Sequence, residues 1–232
     1  MDLTTKTTDT LSQVGAASEA TTQAGLQSGS QTKVLKNTYL LLAATLMFAA
    51  ATASVAVALN MPHPGLLLTL GGYFGLLFLT TKFRNSSAGI FFVFALTGFM
   101  GLTLGPIVSM YWAMAPQVVM QAMFGTATVF LGLSAYTVKS KRDFSAMGAS
   151  LFIGILVAFL AGIAAVVFSM PALSLTVSAM FVLLMSGLIV YETNQIVQGG
   201  ETNYIMATVT LFVSIFNLFT SMLHLLGFAQ SE

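Results

Sequence analysis

Few side chains in this sequence have the chemistry of a functional site, and most of them lie near its C-terminus. Glu192 stands in an apolar stretch, Glu201 follows in a polar break, and Asn217 and His224 stand in the last apolar stretch. An ionisable side chain inside a bilayer is costly and is a functional candidate by default. Burial favours the neutral form of a carboxyl group until water or a cation reaches it. A glutamate at position 192, inside an apolar stretch, therefore favours a proton or cation pathway.

Each of these residues also has a structural interpretation. Glu192 lies only a turn or two from the end of its apolar stretch, so its carboxylate could simply reach interfacial water. Asn217 suits a hydrogen bond that holds two helices together, which is a common role of asparagine in membranes. His224 and His63 lie near one predicted surface of the bilayer, where the interface would accommodate them.

The sequence offers no arrangement of a nucleophile with a base. Gly-x-Ser-x-Gly and His-Glu-x-x-His are absent, and no two histidines stand at the spacing of a helical metal site. Ser186 and His224 could form an intramembrane protease pair only from opposite sides of the bilayer. We therefore expect no catalysis, no metal site and no cofactor.

The composition excludes most soluble functions. The chain has 232 residues, no cysteine, 6% charged residues, 56% hydrophobic residues and a net charge of +1. Soluble domains carry roughly a quarter charged residues, so an ordinary cytosolic enzyme is excluded. The small net charge supplies no phosphate-neutralising patch, which excludes a nucleic-acid binder. The sequence therefore predicts a multi-pass membrane protein whose main partner is the lipid bilayer.

Seven apolar runs with short polar breaks predict membrane-spanning helices. A spanning helix needs about 20 predominantly apolar residues, and these runs approach or exceed that length. A barrel strand would alternate in polarity over roughly ten residues, whereas these runs are continuously apolar. We therefore expect an all-α membrane protein with seven transmembrane helices. The predicted spans are residues 38–59, 65–81, 88–110, 117–138, 146–169, 172–194 and 205–228.

Residues 1–32 differ from the rest of the chain. They hold eight Thr, four Ser and four Gln, which together make up half of the segment. So little apolar surface cannot offset the entropy lost on ordering. The sequence predicts a disordered N-terminal tail at 1–32, followed by a transmembrane domain at 33–232. No apolar core of a secretory signal is present in the tail.

The basic residues predict the orientation of the chain. All eight Lys and Arg fall in three places: the N-terminal segment up to Lys36, the break after the second run, and the break after the fourth. With seven spans these places share one side of the bilayer, which the positive-inside rule assigns to the cytoplasm. The N-terminus is then cytoplasmic and the C-terminus periplasmic.

Small residues at helical spacing predict where helices approach closely. The second run has Gly71 and Gly75 four residues apart, the third has Gly101 and Gly105, and the fifth has a stripe at 154, 158 and 162. Plain tight packing explains these pairs, and the alternative is a set of sliding or gating surfaces.

The third and fourth runs, together with the last two, resemble a known family. The stretch Gly101–Pro106 and the stretch Ala122–Phe130 are similar to the signature of the Bax inhibitor-1 (transmembrane Bax inhibitor motif) family. The segments Tyr191–Ile196 and Asn203–Phe219 resemble the last two spans of that family. The resemblance implies a Bax inhibitor-1-like fold of seven helices with the seventh near the centre. The family-motif residues are Gly101, Gly105, Pro106, Thr126, Glu201, Asn203 and Tyr204.

Three strings are closer still to one bacterial branch of the family, at Lys33–Tyr39, Gly199–Ile205 and Leu225–Ala229. This resemblance implies an inner-membrane protein that binds the FtsH protease and its HflK/HflC partners and restrains the degradation of membrane substrates. Because a processive protease needs an unstructured handle, the tail suggests that the chain acts as a slow substrate that competes with others. The oligomeric state stays open.

The alternative function is a pH-sensitive cation or calcium leak channel, or a proton-coupled transporter. The resemblance implies that calcium-leak members carry two aspartates on the last two spans. Here Glu192 takes the first position and Ser214 the second. A carboxylate beside a hydroxyl lacks the repulsion of a paired-acid site. We expect a polar cluster of Glu192, Ser214 and Asn217 in which the acid hydrogen-bonds one of the other two.

Overall fold

Seven α-helices form the bundle, and the described part of the chain contains no strand. The computed structural model describes residues 3–140 and 142–230, with side chains from residue 29 onward. A short 3-10 turn at Ser145–Met147 precedes the fifth helix. The helices are α1 Leu3–Ala58, α2 Leu66–Lys82, α3 Ser87–Met114, α4 Pro116–Lys139, α5 Gly148–Val167, α6 Pro171–Gln198 and α7 Tyr204–Ala229.

Six of these helices are long and apolar enough to cross a membrane, counting α1 from Gly29 and α5 with the turn before it. The all-helical membrane fold is thus confirmed for the described residues. α2 has 17 residues and a length of about 25 Å at 1.5 Å per residue. That length lies at the lower limit for a spanning helix. A crossing by α2, which would bring the number of spans to the predicted seven, therefore stays a prediction.

The ends of the helices follow from residues that favour them. Pro116 and Pro171 occupy the first turns of α4 and α6, where their missing N–H is no loss. Gly199 ends α6 in the left-handed conformation with φ of 79°, which a glycine adopts without strain. The side chain of Asn203 caps α7.

α7 lies at the centre of the bundle, as the family resemblance implies. It packs against α1, α3, α4 and α6. Its fully buried side chains include Leu211, Phe212, Leu218 and Leu223.

α1 and α3 make the closest backbone approach at the predicted glycine pair. A Cβ on Gly101 would collide with Thr52 Oγ1 and with the carbonyl oxygen of Ala49. A Cβ on Gly105 would lie 2.6 Å from the Cβ of Ala56. The pair therefore packs backbone against backbone, and this supports the interpretation of tight packing.

The glycine pair on the second helix does not pack. A Cβ on Gly71 or on Gly75 would meet nothing within 4 Å among the described residues. The expectation of a contact there is wrong, and the glycine of α2 that does pack is Gly72, against the ring of Phe99. The fifth-helix stripe does meet a neighbour, since a Cβ on Gly154 would lie 2.7 Å from Leu184 of α6.

The two ends of the bundle differ in charge. The basic end comprises the α2–α3, α4–α5 and α6–α7 connections, and the neutral end comprises the other three connections. Lys82, Arg84, Lys139 and Arg142 are exposed at the basic end. The assignment of this end to the cytoplasm stays a prediction. The disorder of the tail also stays a prediction, because α1 includes the backbone of residues 3–28 but their side chains are not described.

We expect Gly101→Ala to destabilise the protein, because the added Cβ meets the backbone of α1. Overpacking of this kind costs about 1–3 kcal/mol. Thermal unfolding of the purified protein in one detergent measures the effect. Gly71→Ala is the matched control and should leave the melting temperature unchanged or raised, since Ala favours a helix over Gly. Equal melting temperatures for both variants would contradict the α1–α3 contact.

Candidate functional site

Glu192 is buried in the described structure. Its side chain is 7% exposed, on a helix that packs against α1, α4, α5 and α7. Its Oε1 atom has no hydrogen-bond partner among the described residues. The protein therefore encloses this carboxyl group, which the interpretation of an acid in interfacial water does not explain.

Glu192 belongs to a polar layer near the basic end of the bundle. The hydroxyl of Tyr39 on α1 lies 3.4 Å from Oγ1 of Thr193, the residue next to Glu192. The hydroxyl of Thr208 on α7 shares its proton between the carbonyl oxygen of Tyr204 at 2.7 Å and that of Thr38 at 3.3 Å. We name Thr38, Tyr39, Glu192, Thr193 and Thr208 the polar layer.

Two oxygen atoms of this polar layer have no partner among the described residues. They are Oε1 of Glu192 and Oγ1 of Thr38, and Oγ of Ser134 on α4 is likewise buried without a partner. Leaving a buried polar group without a partner costs about 1–3 kcal/mol. These atoms could accept or donate hydrogen bonds to water. No group of three or more potential metal ligands occurs among the described His, Asp and Glu residues.

The structure does not bring the expected cluster together. Oγ of Ser214 donates to the carbonyl oxygen of Thr210 at 2.7 Å, and Nδ2 of Asn217 donates to that of Val213 at 2.9 Å. Both bonds lie within α7. Neither side chain bonds Glu192, so the expected lock between the acid and α7 is absent from the described residues.

The register of α6 against α7 explains this. Ser178 Oγ lies 2.8 Å from Nδ1 of His224, and the two helices are antiparallel. Fourteen residues along α6 from Ser178 is Glu192, and fourteen residues back along α7 from His224 is Thr210. Ser214 is therefore about one helical turn deeper than Glu192. Asn217 is deeper still and lines a second cavity of about 390 Å³ beside Met185.

His224 and His63 each have a hydrogen-bond partner. Ser178 Oγ donates to the carbonyl oxygen of Ser174 at 2.9 Å, so it accepts its bond from His224. Ser186 donates to the carbonyl oxygen of Val182 and does not meet His224. Nδ1 of His63 accepts the backbone N–H of Gly65 at 3.0 Å on the exposed α1–α2 connection. The serine that contacts His224 is therefore Ser178 and not Ser186, the serine considered from the sequence.

Asn203 joins two connections at the basic end. Its Oδ1 accepts the backbone N–H groups of Ile205 and Met206 at 3.0 and 3.1 Å, which caps α7. Its Nδ2 donates to the carbonyl oxygen of Arg84 at 3.0 Å and to Oδ1 of Asn85 at 2.8 Å. One side chain thus fixes both the start of α7 and the α2–α3 connection.

Asn194 fixes the third connection in the same way. Its Oδ1 accepts the backbone N–H of Phe144 at 3.0 Å, and its Nδ2 donates to the carbonyl oxygen of Arg142 at 3.1 Å. Together the two asparagines hold all three connections of the basic end on α6 and α7. Within the α4–α5 connection, hydrogen bonds from the backbone and hydroxyl of Ser145 lower the pKa of Asp143.

The other family-motif residues have structural contacts. Glu201 accepts the backbone N–H of Asn203 at 2.6 Å through Oε1. Tyr204 begins α7, and its carbonyl oxygen accepts the hydroxyl of Thr208 at 2.7 Å. Thr126 is buried, with Oγ1 at 3.6 Å from Sδ of Met222. Pro106 lies inside α3, next to the glycine contact.

Sequence reasoning missed Asn194, Thr38 and Ser134. Asn194 lies two residues after Glu192, in a stretch that was considered for its acid alone. An amide side chain near the end of a helix and next to a polar connection is a signal for a hydrogen bond between the two. Thr38 and Ser134 gave no signal, because Ser and Thr in helices usually bond their own backbone.

We expect Asn203→Asp and Asn203→Ala to separate the two roles of this side chain. Aspartate keeps the oxygen that caps α7 but loses the amide donor to the α2–α3 connection, whereas alanine loses both. Loss of the cap costs about 0.5–2 kcal/mol. Hydrogen exchange of the purified protein should be faster at residues 83–86 in both variants. At the first turn of α7 it should be faster only in the Asn203→Ala variant. Indistinguishable exchange in the two variants would contradict the double role.

Comparison with known proteins identifies the family. A family model described as "Inhibitor of apoptosis-promoting Bax1" matches residues 31–231. The chain is 48% identical over 201 residues to "Modulator of FtsH protease YccA" of Escherichia coli K12, covering 86% of this chain and 92% of the relative. "Inner membrane protein YccA" of Escherichia coli O6:H1 gives the same identity and coverage.

A mammalian relative is more distant. "Protein lifeguard 4" of Mus musculus is 35% identical over 162 residues, which is 69% of this chain and 66% of the relative. The resemblance that the motifs suggested is confirmed by these matches. Because the family model covers most of its length, this chain belongs to the Bax1-I family, whose model is described as inhibitors of apoptosis-promoting Bax1.

Proposed function

We propose that this chain is a non-enzymatic modulator of the FtsH protease in a bacterial inner membrane. The observation that carries the proposal is the 48% identity to the Escherichia coli modulator over 92% of that relative's length. Identity over nearly the whole of both chains includes the basic end, where contact with a cytoplasmic protease domain would occur.

The architecture of the basic end supports a binding role. Asn194 and Asn203 hold its three connections by bonds to backbone and side chain. Its basic side chains, such as Lys82 and Arg84, are exposed. A surface that is already ordered loses little conformational entropy on binding. We propose this face as the contact surface for FtsH and its HflK/HflC partners.

The N-terminal segment supports a finer mechanism. Residues 1–32 have the composition of a chain that cannot form its own core, and they precede the closely packed α1–α3 contact. A protease that pulls on the segment would meet a resistant bundle. We propose that the chain occupies FtsH as a slow substrate and so competes with other substrates.

Deletion of residues 2–30 should lengthen the FtsH-dependent half-life of the chain several-fold, because the handle is removed. Pulse-chase in cells with and without active FtsH measures it. A matched control replaces residues 2–30 with a Gly/Ser segment of equal length, which restores a handle and should restore turnover. An unchanged half-life on deletion would refute the handle, and failure of FtsH to co-purify with the full chain would refute the modulator.

The buried carboxyl of Glu192 favours a second candidate function, a cation leak or proton-coupled transport. The observation behind it is the pair of unpartnered oxygens in the polar layer, Oε1 of Glu192 and Oγ1 of Thr38. Against it stands the register, which leaves Ser214 a turn away from Glu192. Glu201 is near enough for its charge to act on Glu192, but its carboxylate already accepts the backbone N–H of Asn203 within the α6–α7 connection.

We expect the purified protein in phosphatidylethanolamine/phosphatidylglycerol vesicles to give no calcium or proton flux above protein-free vesicles. Glu192→Gln and Asp143→Asn should match wild type, the latter serving as a control acid that is exposed in the α4–α5 connection. A fluorescent indicator trapped in the vesicles measures flux. Flux in wild type and Asp143→Asn that disappears in Glu192→Gln would establish the second candidate instead.

A further inference from the structure

An apolar slot separates α1 from α4 in the half of the bundle near the neutral end. It is a cavity of about 750 Å³. One wall runs from Leu46 to Ala58 of α1 and the other from Val119 to Leu131 of α4. Aromatic side chains of α7, including Phe216 and Phe219, form its floor.

The slot is closed at its deep end and open towards lipid. The rings of Tyr39 and Phe130 lie 5.9 Å apart and bring α1 and α4 together on the side of the polar layer. Along the walls, side chains such as Ala50, Met123 and Ala127 are exposed on the outer surface of the bundle. A molecule can therefore enter from the bilayer but cannot pass through to the basic end.

The length of the slot corresponds to one leaflet. Leu46 and Ala58 are twelve residues apart, which is about 18 Å along a helix. The hydrocarbon core of a bilayer is about 30 Å thick, so one leaflet contributes about 15 Å. We propose that the slot holds an acyl chain of a phospholipid from the leaflet on the neutral side.

The length of the slot does not suit a transmembrane helix of a partner. A spanning helix needs the full hydrocarbon thickness of about 30 Å. The slot extends over about 18 Å of α1, so it is too short for a spanning helix, whereas an acyl chain from one leaflet fits its length.

The chemistry of the lining excludes water. The hydroxyl of Ser54 donates to the carbonyl oxygen of Ala50 at 2.9 Å, and that of Thr126 points to the sulfur of Met222. Water needs two or more polar partners to stay in a cavity, and the lining offers only these two hydroxyl groups, whose protons are already donated. An unfilled slot would forfeit the dispersion contacts of its lining, so hydrocarbon is the occupant that the surroundings supply.

The slot selects the acyl chain of a lipid and not its headgroup. No Lys or Arg among the residues with described side chains lies at the neutral end. Gln117 and Gln230, at the neutral ends of α4 and α7, hydrogen-bond one another at 2.9 Å. Phosphate headgroups thus meet no cation there, and we expect zwitterionic and anionic phospholipids with the same acyl chains to be held equally.

The test is retention of lipid by the full-length protein. The protein is reconstituted with palmitoyl-oleoyl phosphatidylethanolamine or the matching phosphatidylglycerol, extracted in mild detergent and weighed by native mass spectrometry. Wild type should retain one phospholipid of either kind. Ala50→Leu with Ala127→Leu fills the slot and should lower the retained fraction about tenfold. Ala44→Leu, exposed on α1 outside the slot, should match wild type.

A photo-crosslinking amino acid at position 127 of the otherwise unchanged chain gives a second measurement that does not depend on the filled variant folding. The expected product is this chain plus one phospholipid. Cross-linking to a second copy or to another protein overturns the proposal. So does wild type without lipid, equal retention in the filled variant, or retention that depends on the headgroup.

Discussion

The contact between α1 and α3 is the interaction on which the rest of the bundle depends. Lipid offers no hydrophobic force between helices, so they associate through close packing at small residues. Gly101 and Gly105 let α3 lie directly on the backbone of α1. With α1 held there, it stays apart from α4 in the half of the bundle near the neutral end, and the apolar slot is left between them. The same contact that stabilises the bundle therefore also leaves room for this cavity.

Hydropathy predicts the helices well because the bilayer allows few alternatives. Every backbone N–H and C=O in hydrocarbon must be satisfied within its own segment, so a long apolar run can only be a helix. The predicted run at 117–138 lies almost residue for residue on α4, which proline opens at its first turn. What hydropathy cannot decide is which face of a helix meets a neighbour. Gly71 and Gly101 stand in identical spacings, yet only Gly101 has α1 beside it.

In the candidate site, composition likewise predicts which residue is unusual, but it does not predict the register of the helices that sets its neighbours. The rarity of acids in the spans was enough to select Glu192, and the structure buries it. Its pairing with Ser214 was wrong because the depth of each residue depends on the five-residue connection and on the bond between Ser178 and His224. Neither the connection nor this bond produces a periodic pattern in the sequence from which the register could be predicted. Asn203 was selected through the family motif, and its role as a double tie became visible only in three dimensions.

The buried acid and the basic end are mechanically connected. Thr193 faces the hydroxyl of Tyr39, and Asn194 holds the α4–α5 connection. Both residues follow Glu192 directly on α6. A rotation of this turn of the helix would carry the carboxyl group towards water, but it would also break the bonds of Asn194 and loosen the face proposed to meet the protease. A pathway that opened by such a rotation would therefore move that surface with every opening, whereas a fixed turn suits a modulator that presents a rigid surface.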